Sequence, residues 1–365
     1  FLKTFFEYDT YNTRHSPVLI IFLSFFEKIK LPDFFIRLIH LHLCLLLPIF
    51  FYKCLSYKFD GINKKILLFL SSIIFLSPTF RSLAIWPDSR LLGLVLFTLS
   101  IYFFLKSEKG KNFKFAIYNV ISLAISAYIS PNFSVFSIFF FTVFVLSYGF
   151  FSKKILTLVI INLVLALPAF YYLFILDINF LIKAAAVDMD DSKRIVFNNL
   201  FNDVLITFSI ILFYLIPFLF LKIIKINNIL NIKNILISIF IFFICVLNFD
   251  YNYFYSGGGI FFKLSNYFFQ NNYLFYLISF FSILTICALI SKNYFSIFLF
   301  VIIILNNPQY SIYHKYFDPF LLIVFFTIFS FNIDLKKIFH EKNHLLIFSY
   351  FLIFLIISNL KLIYV

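Results

Sequence analysis

Residues 76–106 read LSPTFRSLAIWPDSRLLGLVLFTLSIYFFLK. The first half gathers Arg81, Trp86, Asp88 and Arg90 around two prolines, Pro78 and Pro87. The second half is an apolar run that ends on Lys106. Asp88, placed after Pro87 and ahead of that run, is an expected helix N-cap. A polar, proline-marked turn feeding directly into an oily helix is the alternation of a chain that crosses a membrane repeatedly.

Working outward, the rest of the chain repeats this pattern. It is 63% hydrophobic and only 13% charged, with a mean hydropathy of +1.00, whereas soluble domains carry about 25% charged residues. Phenylalanine alone supplies 61 of the 365 residues; with abundant Ile, Lys and Asn this reads as an AT-rich coding bias, not an aromatic-binding signature. The four cysteines, Cys44, Cys54, Cys245 and Cys287, sit in or beside apolar runs without metal-ligand spacing and read as small core residues.

Apolar stretches between short polar breaks place spans at 34–56, 66–80, 90–105, 115–129, 132–151, 155–176, 204–221, 235–249, 273–290, 294–305, 318–331 and 345–360. The expected fold class is all-α: a polytopic integral membrane protein of about 12 transmembrane helices in a single bundle over 34–360. "SPN" at 130–132 marks a tight helical hairpin. Residues 17–30, ending in Glu27, Lys28 and Lys30, read as an interfacial helix. Residues 1–16 read as the tail of a first external loop, and 177–203 and 250–272 as further external loops, the latter holding the flexible turn of Gly257, Gly258 and Gly259. The chain starts without an initiator Met, so a preceding segment is expected, most simply one more transmembrane helix.

Charge supplies the orientation. The net charge of +14 would suggest nucleic acid in a soluble protein; here no nucleic-acid partner is expected, because the lysines gather in alternate breaks. One set of breaks holds 17 lysines against four acids (Asp60, Glu108, Asp334, Glu341), a net of +13; the other side holds 13 cations against 12 acids, a net of +1. The positive-inside rule puts the first set in the cytoplasm. All five arginines, Arg14, Arg37, Arg81, Arg90 and Arg194, then fall on the external side or at the outer end of a span. Arginine offers carboxylates and phosphates a planar fork that lysine lacks.

Four external clusters carry candidate chemistry: Glu7, Asp9, Arg14 and His15; Arg81, Trp86, Asp88 and Arg90; the "DMDD" loop at 188–191 with Lys193 and Arg194; and His314, Lys315, Tyr316 and Asp318. Each has a plain structural reading as solvated loop, cap or interfacial anchor. Together they suit chemistry on a lipid-linked, phosphorylated substrate at the membrane surface. A carboxylate would serve as general base on an acceptor hydroxyl, a cation would hold a lipid phosphate, and a divalent ion would neutralise the leaving phosphate. Within the spans ionisable groups are sparse. His40 and His42 come nearest, and two positions apart they do not share a helix face.

Three stretches carry a resemblance to the GT-C glycosyltransferases, multi-span enzymes that use polyprenyl-phosphate sugars, closest to the Rgt-type and protein-mannosyltransferase-like members. "RHSPVLIIFLSFFEKI" is similar to the His-Pro-Pro-Leu segment that enters an interfacial helix, with Ser16 in place of the first proline. Residues 76–106 are similar to the external turn and following span, with Asp88 at a commonly acidic position. "YHKYFDPFLLIVFF" resembles the late external loop, with Lys315-Tyr316 in place of Arg-Tyr.

The resemblance implies a membrane glycosyltransferase in the bacterial inner membrane, its active site facing the periplasm. The donor would be a polyprenyl-phosphate sugar, the acceptor a lipid, glycan or protein, and membrane lipids the surroundings. Asp9, or else Glu7, would be the catalytic base, unless that base lies in a preceding segment. Asp88, with Asp9, would hold a divalent ion (Mg or Mn) or orient the sugar; Arg81, Arg90 and Lys315 would meet the donor phosphate; and Arg14, His15, His314 and Tyr316 would shape the pocket. The alternatives are a transporter or flippase for lipid-linked sugars, which would want ionisable groups along a pathway inside the spans, and a polymerase or ligase for lipid-linked glycans.

Overall fold

In the computed structural model, helices that open at the lysine-rich breaks start on neutral polar side chains. Asn63 accepts the Lys65 N–H at 2.9 Å, Asn112 the Lys114 N–H at 3.1 Å, Ser152 the Ile155 N–H at 3.2 Å and Asn231 the Lys233 N–H at 3.1 Å. Each side chain satisfies one backbone donor that the first helical turn leaves open. The structure describes residues 17–175, 199–224, 229–252, 257–290, 294–307, 311–330, 335–339 and 343–364. All regular secondary structure among them is helical. The chain divides into two compact units, residues 1–189 and 190–365.

The first unit runs through α1 (Pro17–Lys28), α2 (Asp33–Cys44), α3 (Leu46–Lys58), α4 (Lys64–Ser71), α5 (Pro78–Ile85), α6 (Ser89–Gly110), α7 (Phe113–Ile129), α8 (Phe136–Tyr148) and α9 (Lys153–Phe170). Helices α6 and α7 pack closely because small residues line their contact. A Cβ on Gly93 would stand 2.7 Å from the Ser130 Cβ. Ser126 Oγ donates to the Gly93 carbonyl at 2.8 Å, and Asn119 Nδ2 to the Ser100 carbonyl at 2.8 Å. Phe97 fills the space beside them, stacked on Phe133 with ring centroids 4.8 Å apart.

Side-chain contacts sort the ends of this unit. Lys109 pairs with Asp60 at 3.2 Å, Ser147 donates to Glu108 at 3.1 Å, and the Lys154 ammonium lies 4.8 Å from the Tyr148 ring. The basic breaks at 57–65, 106–114 and 152–154 therefore gather at one end. The Trp86–Asp88 turn lies at the opposite end of α6.

The second unit is organised on α10 (Leu200–Phe220), whose side chains are mostly buried. The further helices are α11 (Ile232–Leu247), α12 (Gly259–Phe269), α13 (Tyr273–Ile290), α14 (Tyr294–Leu305), α15 (Phe320–Thr327) and α16 (Asn343–Tyr364). Ser282 on α13 donates to the Phe208 carbonyl, and Tyr350 on α16 donates to the Phe213 carbonyl at 2.9 Å. The turn before α12 needs glycine: Gly257 has φ 118°, and a Cβ there would stand 2.7 Å from the Ile312 carbonyl oxygen.

Among the described residues, seven helical stretches are long and apolar enough to cross a membrane: Asp33–Lys58, Ser89–Gly110, Pro131–Tyr148, Lys153–Phe170, Leu200–Phe220, Tyr273–Ile290 and Asn343–Leu360. Lys64–Leu76 and Pro78–Ile85 meet at a 69° bend and make an eighth if counted as one broken span. Phe113–Ile129, Ile232–Leu247 and Tyr294–Leu305 are apolar but shorter. The described residues are thus all-helical where they are regular, with helices long and apolar enough for a membrane.

Several boundaries expected from sequence move. Residues 78–85, read largely as external turn, are helical because Ser77 caps them and Pro78 takes the first helical position. The loop expected at 250–272 contains α12, and the loop expected to reach residue 203 ends earlier, with Leu200–Asp203 forming the first turn of α10. The span expected at 318–331 yields an eight-residue helix, Phe320–Thr327, with Pro319 at its N-cap.

Candidate functional site

The turn that opens residues 76–106 is built by two caps and a missing donor. Ser77 Oγ accepts the Phe80 N–H at 2.9 Å and starts α5. Asp88 Oδ1 accepts the Arg90 N–H at 2.8 Å and the Leu91 N–H at 3.3 Å and starts α6. Pro87, between the two helices, has no N–H to give. In an uninterrupted helix the Ala84 carbonyl would take the N–H of Asp88, four residues on. Here the His40 imidazole stands between them, with Nδ1 3.0 Å from the Ala84 oxygen and Nε2 3.4 Å from the Asp88 nitrogen. A neutral ring protonated on Nδ1 donates to the carbonyl and accepts from the N–H, so both backbone groups are satisfied.

His40 has no exposed surface. One turn later on α2, Cys44 Sγ lies 3.7 Å from its Nδ1. One turn earlier, Arg37 lays its guanidinium 3.9 Å above the centroid of Trp86. Residues 37, 40 and 44 share a helix face, and that face reads the turn: Arg37 on Trp86, His40 on Asp88. Trp86 is more than half exposed, while Arg37, Asp88 and Arg90 are half-buried. With Asp88 Oδ1 committed to the cap, its Oδ2 has no partner among the described residues. A carboxylate edge, the Arg37 guanidinium and an indole thus meet at one turn, with Arg90 next along the chain, a set suited to a phosphate and to sugar hydroxyls. Arg81 is exposed on α5 and forms no ion pair among the described residues.

A second cluster lies in the second unit. Tyr214, buried in α10, donates its hydroxyl to Asp318 Oδ1 at 3.1 Å. His314 Nε2 lies 3.5 Å from the same hydroxyl oxygen, and its ring stacks on Tyr214 with centroids 5.8 Å apart. With the tyrosine proton given to Asp318, this contact requires an Nε2–H donor. Nδ1 is then a bare acceptor, buried and without a partner among the described residues. Phe213 and Phe354 close on the ring at 5.2 Å and 5.4 Å. Burial lowers the His314 pKa to about 4, with Asp318 opposing the shift. At the start of α10, Asn202 Nδ2 donates to Asp250 Oδ1 at 2.5 Å, and the Asp250 N–H donates to Asn202 Oδ1 at 3.1 Å. Tyr251 follows; burial pushes its phenol up to about 12, although the Ile312 N–H donates to its oxygen at 3.3 Å.

The chain matches no family model, no curated protein and no solved structure.

Of the residues singled out in the sequence, Glu7, Asp9, Arg14 and His15 lie outside the described residues. Asp88 and Arg90 open α6 at the turn whose Trp86 lies under Arg37; Arg81 joins them by no described contact. His314, Lys315 and Tyr316 form one 3₁₀ turn but diverge. His314 packs inward on Tyr214, whereas Lys315 is exposed, its ammonium 4.8 Å from the Tyr313 ring, and Tyr316 lies against Tyr313 with ring centroids 5.2 Å apart. No group of three or more His, Cys, Asp or Glu suited to a metal occurs among the described residues. Asp88 can offer a divalent ion one oxygen, which is short of a ligand set.

Sequence reasoning noted His40 without giving it a role, and missed Tyr214. His40 lacks a partner on its own helix in the sequence pattern, yet its partners are backbone groups of α5 and α6. The signal was Arg37 one turn away on the same face, and a proline that leaves a carbonyl open. Tyr214 was hidden inside an apolar run.

Proposed function

We propose that the chain is a GT-C-like membrane glycosyltransferase of about twelve crossings plus the interfacial helix α1. It moves a sugar from a polyprenyl-phosphate donor to a hydroxyl of a lipid, glycan or protein. The observation that carries this reading is the half-buried Asp88 carboxylate, with one oxygen fixed by two backbone N–H groups and the other without a partner among the described residues, in a turn whose Trp86 lies under the Arg37 guanidinium. The membrane is the bacterial inner membrane, with the Asp88 end of the first unit facing the periplasm. The end that collects the lysines faces the cytoplasm.

In this reading Asp9, or else Glu7, takes the proton of the acceptor hydroxyl as its oxygen bonds to the sugar's anomeric carbon. The bond from that carbon to the phosphate oxygen breaks, and polyprenyl phosphate leaves with the electron pair. Arg90 and Arg37 meet the phosphate charge, and Asp88 Oδ2 orients a sugar hydroxyl. Arg81 remains a candidate for the donor phosphate, with Arg14 and His15 as pocket residues; in the second unit Lys315, with His314 and Tyr316, is a separate candidate for a lipid phosphate. The test is transfer of a labelled sugar from a polyprenyl-phosphate donor by the full-length protein, compared with Asp88→Asn and Lys315→Ala. Loss in Asp88→Asn supports the site, and full activity in both variants sinks these assignments.

One observation favours a second reading, a flippase or transporter for lipid-linked sugars. Asp318 and Asp203, at 5% and 4% exposure, and the buried Nδ1 of the half-buried His314 place ionisable groups inside the second unit, as a pathway would. Movement of a fluorescent lipid-linked sugar across vesicles without a new glycosidic bond would select it. A polymerase or ligase would instead release a longer glycan or glycan-bearing product.

A further inference from the structure

We propose that His40 is a positioning residue that wedges the Trp86–Asp88 turn open, an inference that rests on Asp88 serving the site described above. Ala84 and Asp88 stand at the spacing of an α-helical hydrogen bond, and the imidazole occupies the place of that bond. His40 has no exposed surface, so the two backbone groups depend on partners inside the fold. A polar ring inside an apolar span is unfavourable unless both nitrogens are satisfied, and here each has one backbone partner.

The consequence falls on Asp88. Its backbone is extended, with φ −135° and ψ 130°, the conformation an N-cap requires. If the imidazole is removed, the Ala84 carbonyl and the Asp88 N–H are left facing one another across a void. Closing that void draws Asp88 toward helical angles, turns its carboxylate from the Arg90 and Leu91 N–H groups, and drags Trp86 from beneath Arg37. Pro87 cannot supply the missing bond and resists a smooth helix. His40 thus acts through Asp88 and Trp86 without touching a substrate.

Trp86 is the sole tryptophan of the chain, so intrinsic fluorescence reads this turn directly. The full chain in nanodiscs is compared with His40→Leu, which fills the space without polar atoms, and His40→Gln, which keeps a donor and an acceptor. The expected result is a shifted Trp86 emission maximum and altered acrylamide quenching in His40→Leu, with sugar transfer reduced. His40→Gln restores the wild-type spectrum. In wild-type protein with nitrogen-15 histidine, the His40 ring is expected to show a protonated Nδ1 and a bare Nε2. Unchanged emission and quenching in a folded His40→Leu, or a protonated Nε2 in the wild type, overturns the proposal. If His40→Leu does not fold, the wild-type ring spectrum and the His40→Gln fluorescence decide. None of the spectroscopic readouts needs activity, so a protein without sugar transfer refutes the glycosyltransferase reading while leaving the wedge to be judged separately.

Discussion

Tyr214 and Asp318, 104 positions apart in sequence, are joined by a 3.1 Å hydrogen bond inside the second unit. It ties the middle of α10 to the residue just before Pro319 and α15. Removing a buried hydroxyl leaves its acceptor short of a donor, at a cost of about 1–3 kcal/mol. Tyr214→Phe is therefore expected to lower the thermal midpoint of the detergent-solubilised protein. Asp318→Asn on that background should add less than it does alone, because both changes remove the same bond. Strictly additive losses would refute the tie.

His314 gives the second unit a pH dependence of definite sign. Its pKa falls from 6.5 to about 4 on burial. As pH drops, the unfolded ring takes up its proton first, so the unfolded state binds more protons between those two values. Stability from this group is complete above pH 6.5 and declines as pH falls toward 4, by up to about 1.4 kcal/mol per pH unit. Denaturant midpoints across this range should decline less in His314→Gln than in the wild type.

Gly93→Ala tests the packing of α6 on α7. The new Cβ would meet the Ser130 Cβ at 2.7 Å and a Phe133 ring carbon at 3.2 Å. Overpacking of this kind costs about 1–3 kcal/mol. A lower melting temperature is expected, and Ser130→Gly, by removing the obstructing atom, should return part of it.

Asp88 has two separable roles. Asparagine keeps an oxygen for the Arg90 and Leu91 N–H groups, whereas alanine removes it, and loss of a cap costs about 1 kcal/mol. Asp88→Ala should therefore lower stability while Asp88→Asn leaves it near wild type. If the carboxylate also serves chemistry, sugar transfer falls in both. Full activity in the Asp88→Asn protein would reduce Asp88 to a cap.

Much of the architecture was legible because membrane helices are written in runs. The hairpin at "SPN", the helix that begins at Pro17 and the cap at Asp88 all rest on contacts within a few residues. What escaped was set by distant partners. Pro78–Ile85 looked like loop because its polar residues mask a helix that Ser77 starts. His40 and Tyr214 looked inert because the groups they satisfy lie 44 to 104 positions away. The sites expected from resemblance divide the same way. Asp88 and Arg90 are neighbours in sequence and remain so in space, while the turn holding His314, Lys315 and Tyr316 separates its side chains.

The caps at Asn63, Asn112, Ser152 and Asn231 have a consequence for how the chain enters the membrane. Each is followed within two residues by lysine: Lys64 and Lys65, Lys114, Lys153 and Lys154, and Lys233. A helix carries partial positive charge at its N-terminus, so a cation in the first turn is unfavourable there by about 0.3–1 kcal/mol. The sequence thus keeps its lysines where local helix energetics oppose them. The positive-inside rule gives such lysines a topogenic use within each unit, at the expense of the helices they begin. Glutamate at Lys64 and Lys65 would favour the helix and weaken the instruction.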